Sequence, residues 1–201
     1  LPLNKIPVAR HDPTKHIWMI IDEKLTFRPH IKEVIEKAKT SLGLMKYMTK
    51  YVNWKLLDQM CQMYVRPHLD YGDVIFHDQL EDTMKLPDGI QYQAGLIVTG
   101  CWKSTRAEKL YTELGWETLS ERRTCRRFWQ YYKILNNKTP LYLRSHIKEL
   151  PLPLNCTEQY KNSFFPYCML HWSDLDEATR QLNNIDKLKS EIFKSVRPPK
   201  K

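Results

Sequence analysis

Glycine is scarce, with six in 201 residues. Nowhere do they gather into the Gly-rich loop that cradles phosphate, which sets aside the common nucleotide-binding motifs. Cysteine is sparse and odd in number: Cys61, Cys101, Cys125, Cys156 and Cys168 fall at irregular spacing. That excludes a secreted disulfide framework and implies a reducing, intracellular compartment, nucleus or cytoplasm. No apolar run approaches the roughly 20 residues needed to span a bilayer, and no signal peptide opens the chain. No membrane partner is therefore expected. The chain opens on Leu1-Pro2-Leu3 without Met, which fits a fragment. No Ser/His/Asp or Cys/His set has a spacing that supports nucleophilic catalysis.

Positive charge and apolar residues are plentiful. Formal net charge is +9 and 42% of residues are hydrophobic, with a pI near 9.2. Excess Lys and Arg favours a polyanionic partner, because phosphates neutralised by them release counterions. An unremarkable basic surface is the alternative.

Hydrophobic periodicity predicts a mainly α chain. Ile6–Val8 and His16–Ile21 are short β-prone runs that could pair as an N-terminal hairpin. Asp22–Phe27 reads as a turn. Pro29 suits the first turn of a helix that Thr26 could cap. Ile31, Val34, Ile35, Ala38, Leu42 and Met45 then follow helical spacing, with Gly43 expected to end or loosen the helix. Asn53 caps a second helix, which Pro67 should stop near Arg66. His77–Gly89, with Pro87 and Gly89, reads mostly as loop, and Ile90–Thr99 is ambiguous between helix and strand. Thr105-Arg106-Ala107-Glu108 has capping-box form and precedes a helix that stops at Gly115. Thr118-Leu119-Ser120-Glu121 repeats that form before a helix reaching Asn136 or Asn137. Leu150–Leu154 alternates with Pro and reads as a linker. An aromatic stretch, Phe164–Trp172, and an amphipathic helix around Ile185–Val196 close the chain.

Four arginines are the strongest chemical candidates. Arg122, Arg123, Arg126 and Arg127 form two adjacent rows on one side of a helix, with Cys125, Phe128, Trp129, Tyr132 and Leu135 marking its buried side. Such a cluster repels itself unless an anion or carboxylates lie opposite. Guanidinium forks match phosphate oxygens, so a phosphate-tracking helix is one reading. A solvated face partly neutralised by Glu117, Glu121 and other acids is the other. Lys32, Lys37, Lys39, Lys46 and Lys50 on the first long helix read as an ordinary solvated face. Tyr71-Gly72-Asp73 invites comparison with a polymerase metal motif, but Val74 stands where a second aspartate is needed to hold two metal ions. Asp70 and Asp73 are therefore expected in turn or capping roles. Cys156, Cys168 and His171 do not match paired zinc-ligand spacing. No metal site is expected.

Several stretches resemble one family in order along nearly the whole chain. IIDEKLTFRPHIKEVIEKAKTSLGLMKYM, RPHLDYGDVIF, EKLYTELGWETLSERRTCRRFWQYYKILNNKTPLYL and KNSFFPYCMLHWSDLD are similar to segments beyond the palm in reverse transcriptases of non-LTR (LINE-type, jockey-like) retrotransposons. The resemblance implies a helical thumb-like bundle with a short N-terminal β-hairpin. It divides the chain into an end-of-palm, primer-grip-like hairpin at 1–27, a thumb-like region at 28–150 and a C-terminal extension at 151–201. It implies backbone contacts to an RNA/DNA template–primer duplex, with Arg122, Arg123, Arg126 and Arg127 as candidate contacts. It also implies a palm as packing partner, no catalysis by this chain alone and no cofactor within it, since the parent enzyme's Mg²⁺ belongs to the palm. A helical interaction module or inactive retroelement remnant is the competing reading. Two departures stand out: Trp18 replaces a glycine of the family's primer-grip strand, and Pro87 with Gly89 should break the helix that follows the YGD turn.

Overall fold

Residues 14–16, 18–76, 81–149, 157–182 and 185–196 are described by a computed structural model of the chain. The architecture is mainly α with a short N-terminal β-hairpin. Strands β1 (Thr14–His16) and β2 (Met19–Ile21) pair antiparallel, with Thr14 opposite Ile21 and His16 opposite Met19. The hairpin is thus tighter than the one the sequence suggests, and Ile6–Val8 lies outside the described residues. Trp18 sits in its turn with φ 67°, a left-handed conformation that costs a side-chain-bearing residue about 1–2 kcal/mol. Trp18→Gly is expected to raise stability by about 0.5–1 kcal/mol in urea unfolding, the strain relief exceeding the added chain entropy.

Helix α1 (Arg28–Met48) starts from Phe27, not Thr26, with Pro29 inside its first turn. Asp22 organises that start. Its carboxylate accepts from Thr26 N at 3.0 Å, Thr26 Oγ1 at 2.8 Å and Phe27 N at 2.6 Å. Burial alone would raise this carboxyl, but those bonds outweigh it and hold it below the ordinary carboxylate range. Gly43 does not interrupt α1, because Leu42 and Met45 on either side are anchored in the core.

Pro67 does not end the second helix. Asn53 caps α2 (Trp54–Met60), which runs through a π-helical turn (Cys61–Val65) into α3 (Arg66–Asp70). Arg66 N–H reaches back five residues to the Cys61 carbonyl. The widened turn puts Pro67 at the start of a new α-helical segment, where its missing N–H costs little. Burial of Cys61, Val65 and Leu69 on one side holds the joint. Pro87 likewise lies within a helix, α5 (Glu81–Thr99). Met84, Ile90, Ala94 and Val98 pack into the core, and that burial overrides the local cost of Pro87 and Gly89. Residues 77–80 of the expected loop lie outside the described set.

After α3, Gly72 turns the chain into α4 (Asp73–Phe76) with φ 73°. A Cβ there would lie 2.2 Å from Met19 Cε, so the hairpin packs directly onto this turn. Helix α6 (Ala107–Leu114) lacks the expected Thr105 cap; Arg106 precedes it without a side-chain bond, and Gly115 closes it in the left-handed region. Tyr92 Oη instead donates to the Lys103 and Thr105 carbonyls. Helix α7 (Leu119–Leu135) carries a complete capping box between Thr118 and Glu121. Then follow α8 (Leu141–Glu149), α9 (Glu158–Lys161), α10 (Phe164–His171), α11 (Glu177–Arg180) and α12 (Ile185–Val196).

Two cores result. The first joins α1, the α2–α3 helix, α4 and α5, and ends at Trp116 and Leu119. The second gathers Phe128, Tyr131 and Tyr132 of α7 with Cys168, Leu175, Leu188 and Ile192. The C-terminal segment is therefore no detached extension, since it completes the core around α7.

Candidate nucleic-acid interface

The arginine rows of α7 face inward, onto the joint between α3 and α4. Arg122 Nη2 donates to Asp70 Oδ1 at 2.8 Å. Arg126 Nη1 donates to Asp73 Oδ2 at 2.6 Å and to the Asp70 carbonyl at 3.2 Å, while its Nη2 bonds Asp70 Oδ2. Arg66 adds its Nε at 3.4 Å from Asp70 Oδ2 and donates from Nη2 to Glu117 Oε2 at 3.2 Å. Asp70 thus sits among three guanidiniums. The Asp73 side chain is only 2% exposed.

Arg127 is fully buried and bridges the two cores. Its Nε donates to the Val74 carbonyl at 3.2 Å and its Nη2 to the Asn162 carbonyl at 2.8 Å. The Tyr167 ring lies 4.9 Å from its guanidinium carbon. Arg123 is buried near Asp73, whose ionisation its charge favours.

Arg122, Arg123, Arg126 and Arg127 therefore do not form an open row for phosphates. Carboxylates do lie opposite them: Asp70 and Asp73 make the direct bonds, while Glu117 adds charge near Arg122. Asp73 does stand in the first turn of α4, as a turn or capping role requires, and both aspartates are also the counter-charges of a helix about 50 residues away. Arg126 alone of the four keeps substantial side-chain exposure, 30%.

Burial and charge compete across the network. Burial pushes the Asp73 carboxyl up to about 6, with Asp70 adding to the rise and Arg126 opposing it. Burial would lower the Arg126 guanidinium, but its bonds to Asp70 and Asp73 raise it instead. The two partners shift the same way because Arg126 shares two carboxylates, while Asp73 is the more deeply enclosed. Burial lowers Arg122 against the pull of Asp70.

The open cationic surface lies beside this network. A cleft of about 550 Å³ between α7 and α12 is lined by Arg66, Arg126, Trp129, Lys189 and Lys194, with Glu117 as its acid. Lys133 and Lys189 Nζ lie 3.4 Å and 4.3 Å from the Trp129 ring centre, a cation–π arrangement that holds Lys189 in the cleft and Lys133 on the Trp129 ring beside it. Lys194 is tied to Glu191 at 2.7 Å. The sequence reading placed Trp129 on the buried side of α7 and gave Lys189 and Lys194 no role. The polar face of the amphipathic last helix was the signal for both.

A second cleft, about 930 Å³ and mostly apolar, opens between the β2–α1 turn, α4, α7 and α10; Leu25, Phe27, Ile75, Ile134 and Phe164 line it.

Among the described residues no group of His, Cys, Asp and Glu could hold a metal ion. Cys156 lies outside them. The Cys168 thiol is pushed up to about 12 by burial, and His171 Nδ1 pairs with Asp174 at 3.0 Å. No helix among the described residues is long and apolar enough to cross a membrane. No protein-family model, no curated protein and no solved structure matches the chain, so the interface rests on its own geometry.

Proposed function

We propose that this chain is the thumb-like, non-catalytic region of a non-LTR-type RNA-directed DNA polymerase, intracellular in the nucleus or cytoplasm. One observation carries the reading. The two most specific stretches of the resemblance, RPHLDYGD and ERRTCRRFW, are the two halves of a single buried ion-pair network. The residues that carry the resemblance bond to one another across about 50 positions of sequence, which supports reading them as parts of one structural unit.

A duplex would be held through its backbone, without sequence readout. Its phosphate contacts are assigned to the open rim of the α7–α12 cleft, Lys133, Lys189 and Lys194 with Arg66 and the exposed edge of Arg126. The palm with its aspartates and Mg²⁺ is the packing partner, and the apolar cleft beside the hairpin supports such a contact. Polymerase activity in the purified chain would overturn the non-catalytic part of this reading.

The test is fluorescence anisotropy with a labelled RNA/DNA hybrid. Affinity should fall steeply between about 50 and 200 mM salt. Replacing Lys133, Lys189 and Lys194 together by Gln should weaken binding and reduce the salt slope by about one for each lost phosphate contact. Absence of hybrid binding at low salt would favour the second reading, a helical interaction module or inactive remnant. The internal use of all four α7 arginines is the observation on that side.

A further inference from the structure

Between Glu36 and Asp58 the chain carries five lysines and no acid. Lys37 and Lys39 pair with Glu33 and Glu36 at 2.6 Å and 2.8 Å. Lys46, Lys50 and Lys55 have no acidic partner among the described residues, and all three are exposed.

The same stretch exposes large rings. Tyr47, Tyr51 and Trp54 are 59%, 65% and 58% exposed. They are not a slipped core stripe, because Leu42, Met45 and Leu57 fill the buried side of the same segment. The Tyr47 and Tyr51 rings lie 5.4 Å apart at i and i+4, with their hydroxyls 3.4 Å apart. The backbone beneath them is pinned. Tyr51 N and Val52 N both donate to the Met48 carbonyl, Thr49 Oγ1 donates to the Lys46 carbonyl, and Asn53 Oδ1 caps α2 through Leu56 N.

We infer that the α1–α2 junction is a stacking platform for single-stranded nucleic acid. Bases stack on Tyr47, Tyr51 and Trp54, while Lys46, Lys50 and Lys55 meet the phosphates between them. Exposed rings interleaved with lysines that no described acid neutralises are the combination that such binding uses, since every base has a face to stack and every linkage carries a charge; Lys55 Nζ lies 5.8 Å from the Trp54 ring centre, beside that stacking face. A duplex keeps its base faces hidden, so it would use the lysines and leave the rings idle. An acidic protein would likewise satisfy the lysines without requiring aromatic faces. This platform lies apart from the α7–α12 cleft and does not depend on the proposed polymerase ancestry.

The test titrates the full chain into a fluorescein-labelled oligothymidylate at low salt, with a duplex of the same length in parallel. Tyr51→Ala and Trp54→Ala should each weaken single-strand binding about tenfold, with Tyr51→Phe near wild type. Lys46, Lys50 and Lys55 all changed to Gln should flatten the salt slope by about two, at roughly 0.7 per phosphate. Lys109→Gln, an exposed lysine outside both sites, should leave single-strand affinity unchanged, which separates a local platform from the overall positive charge. All these side chains are exposed, and unchanged thermal unfolding by circular dichroism checks that each variant folds. The proposal is overturned if the wild-type chain does not bind the oligonucleotide. It is also overturned if Tyr51→Leu binds as tightly as wild type, which would mark an apolar docking patch, or if duplex binding shows the same dependence on the rings.

Discussion

Asp70→Ala is expected to destabilise the fold by about 3–5 kcal/mol. The magnitude follows from what stays behind. Asp70 accepts from Arg122 and Arg126 and lies beside Arg66. Removing it strands the Arg122 guanidinium, whose side chain is only 8% exposed, and removes one of the two carboxylates shared by Arg126. Breaking a buried pair costs far more than the pair is worth, because the orphaned charge keeps its full desolvation penalty. Asp70→Asn should be milder, since the amide oxygen still accepts from one guanidinium. Denaturant unfolding of both variants decides the matter. A loss under about 1 kcal/mol for Asp70→Ala, the range of solvated surface pairs, would mean that the network is open to water.

Asp73 should make stability fall as pH rises from about 4 to about 6. Its carboxyl is raised from 3.8 to about 6 in the fold. Between those values the folded chain holds a proton that the unfolded chain has released. The slope of unfolding free energy with pH is then negative. The stabilisation is complete below about pH 4 and is lost as pH rises through about 6. A displacement of about two pH units corresponds to roughly 3 kcal/mol. Asp73→Asn cannot release a proton, so the stability difference between wild type and Asp73→Asn should decline by up to that amount across the window. Urea unfolding at successive pH values measures it. A difference that grows with pH would mean that attraction to Arg126 and Arg123 outweighs the enclosure of the carboxylate.

Local pattern was a good guide to the helices and a poor one to their partners. The 3.6-residue period of Ile31, Val34, Ile35, Ala38, Leu42 and Met45 defines α1, and all six are buried. Asn53, Thr118 and Gly115 mark helix ends where the structure has them. Prolines misled in both cases where they were read as breaks. Pro67 is relieved by a π turn and Pro87 by the packing around it, and neither remedy is visible within a few residues. The Thr105 cap is absent because α6 starts one residue later, with Arg106 at the cap position.

The candidate site shows the same limit more sharply. Helical spacing correctly set the four arginines on one side of α7 and predicted that carboxylates or an anion must face them. Which carboxylates do so depends on how α3 and α4 pack against α7, and the chosen acids lie more than 50 residues upstream. The Trp129–Lys133–Lys189 cluster was hidden for the same reason, because it needs α12 laid against α7.

The sharing of α7 between two cores has a consequence for how the molecule comes apart. Its first residue, Leu119, belongs to one core, and Phe128, Tyr131 and Tyr132 belong to the other. Arg127 binds backbone carbonyls from both sides at once, Val74 and Asn162. Loss of either core therefore strips one end of the same rod, so unfolding of the two clusters is expected to be coupled. Central backbone amides of α7 are then expected to be among the slowest to exchange with solvent, which hydrogen exchange would measure.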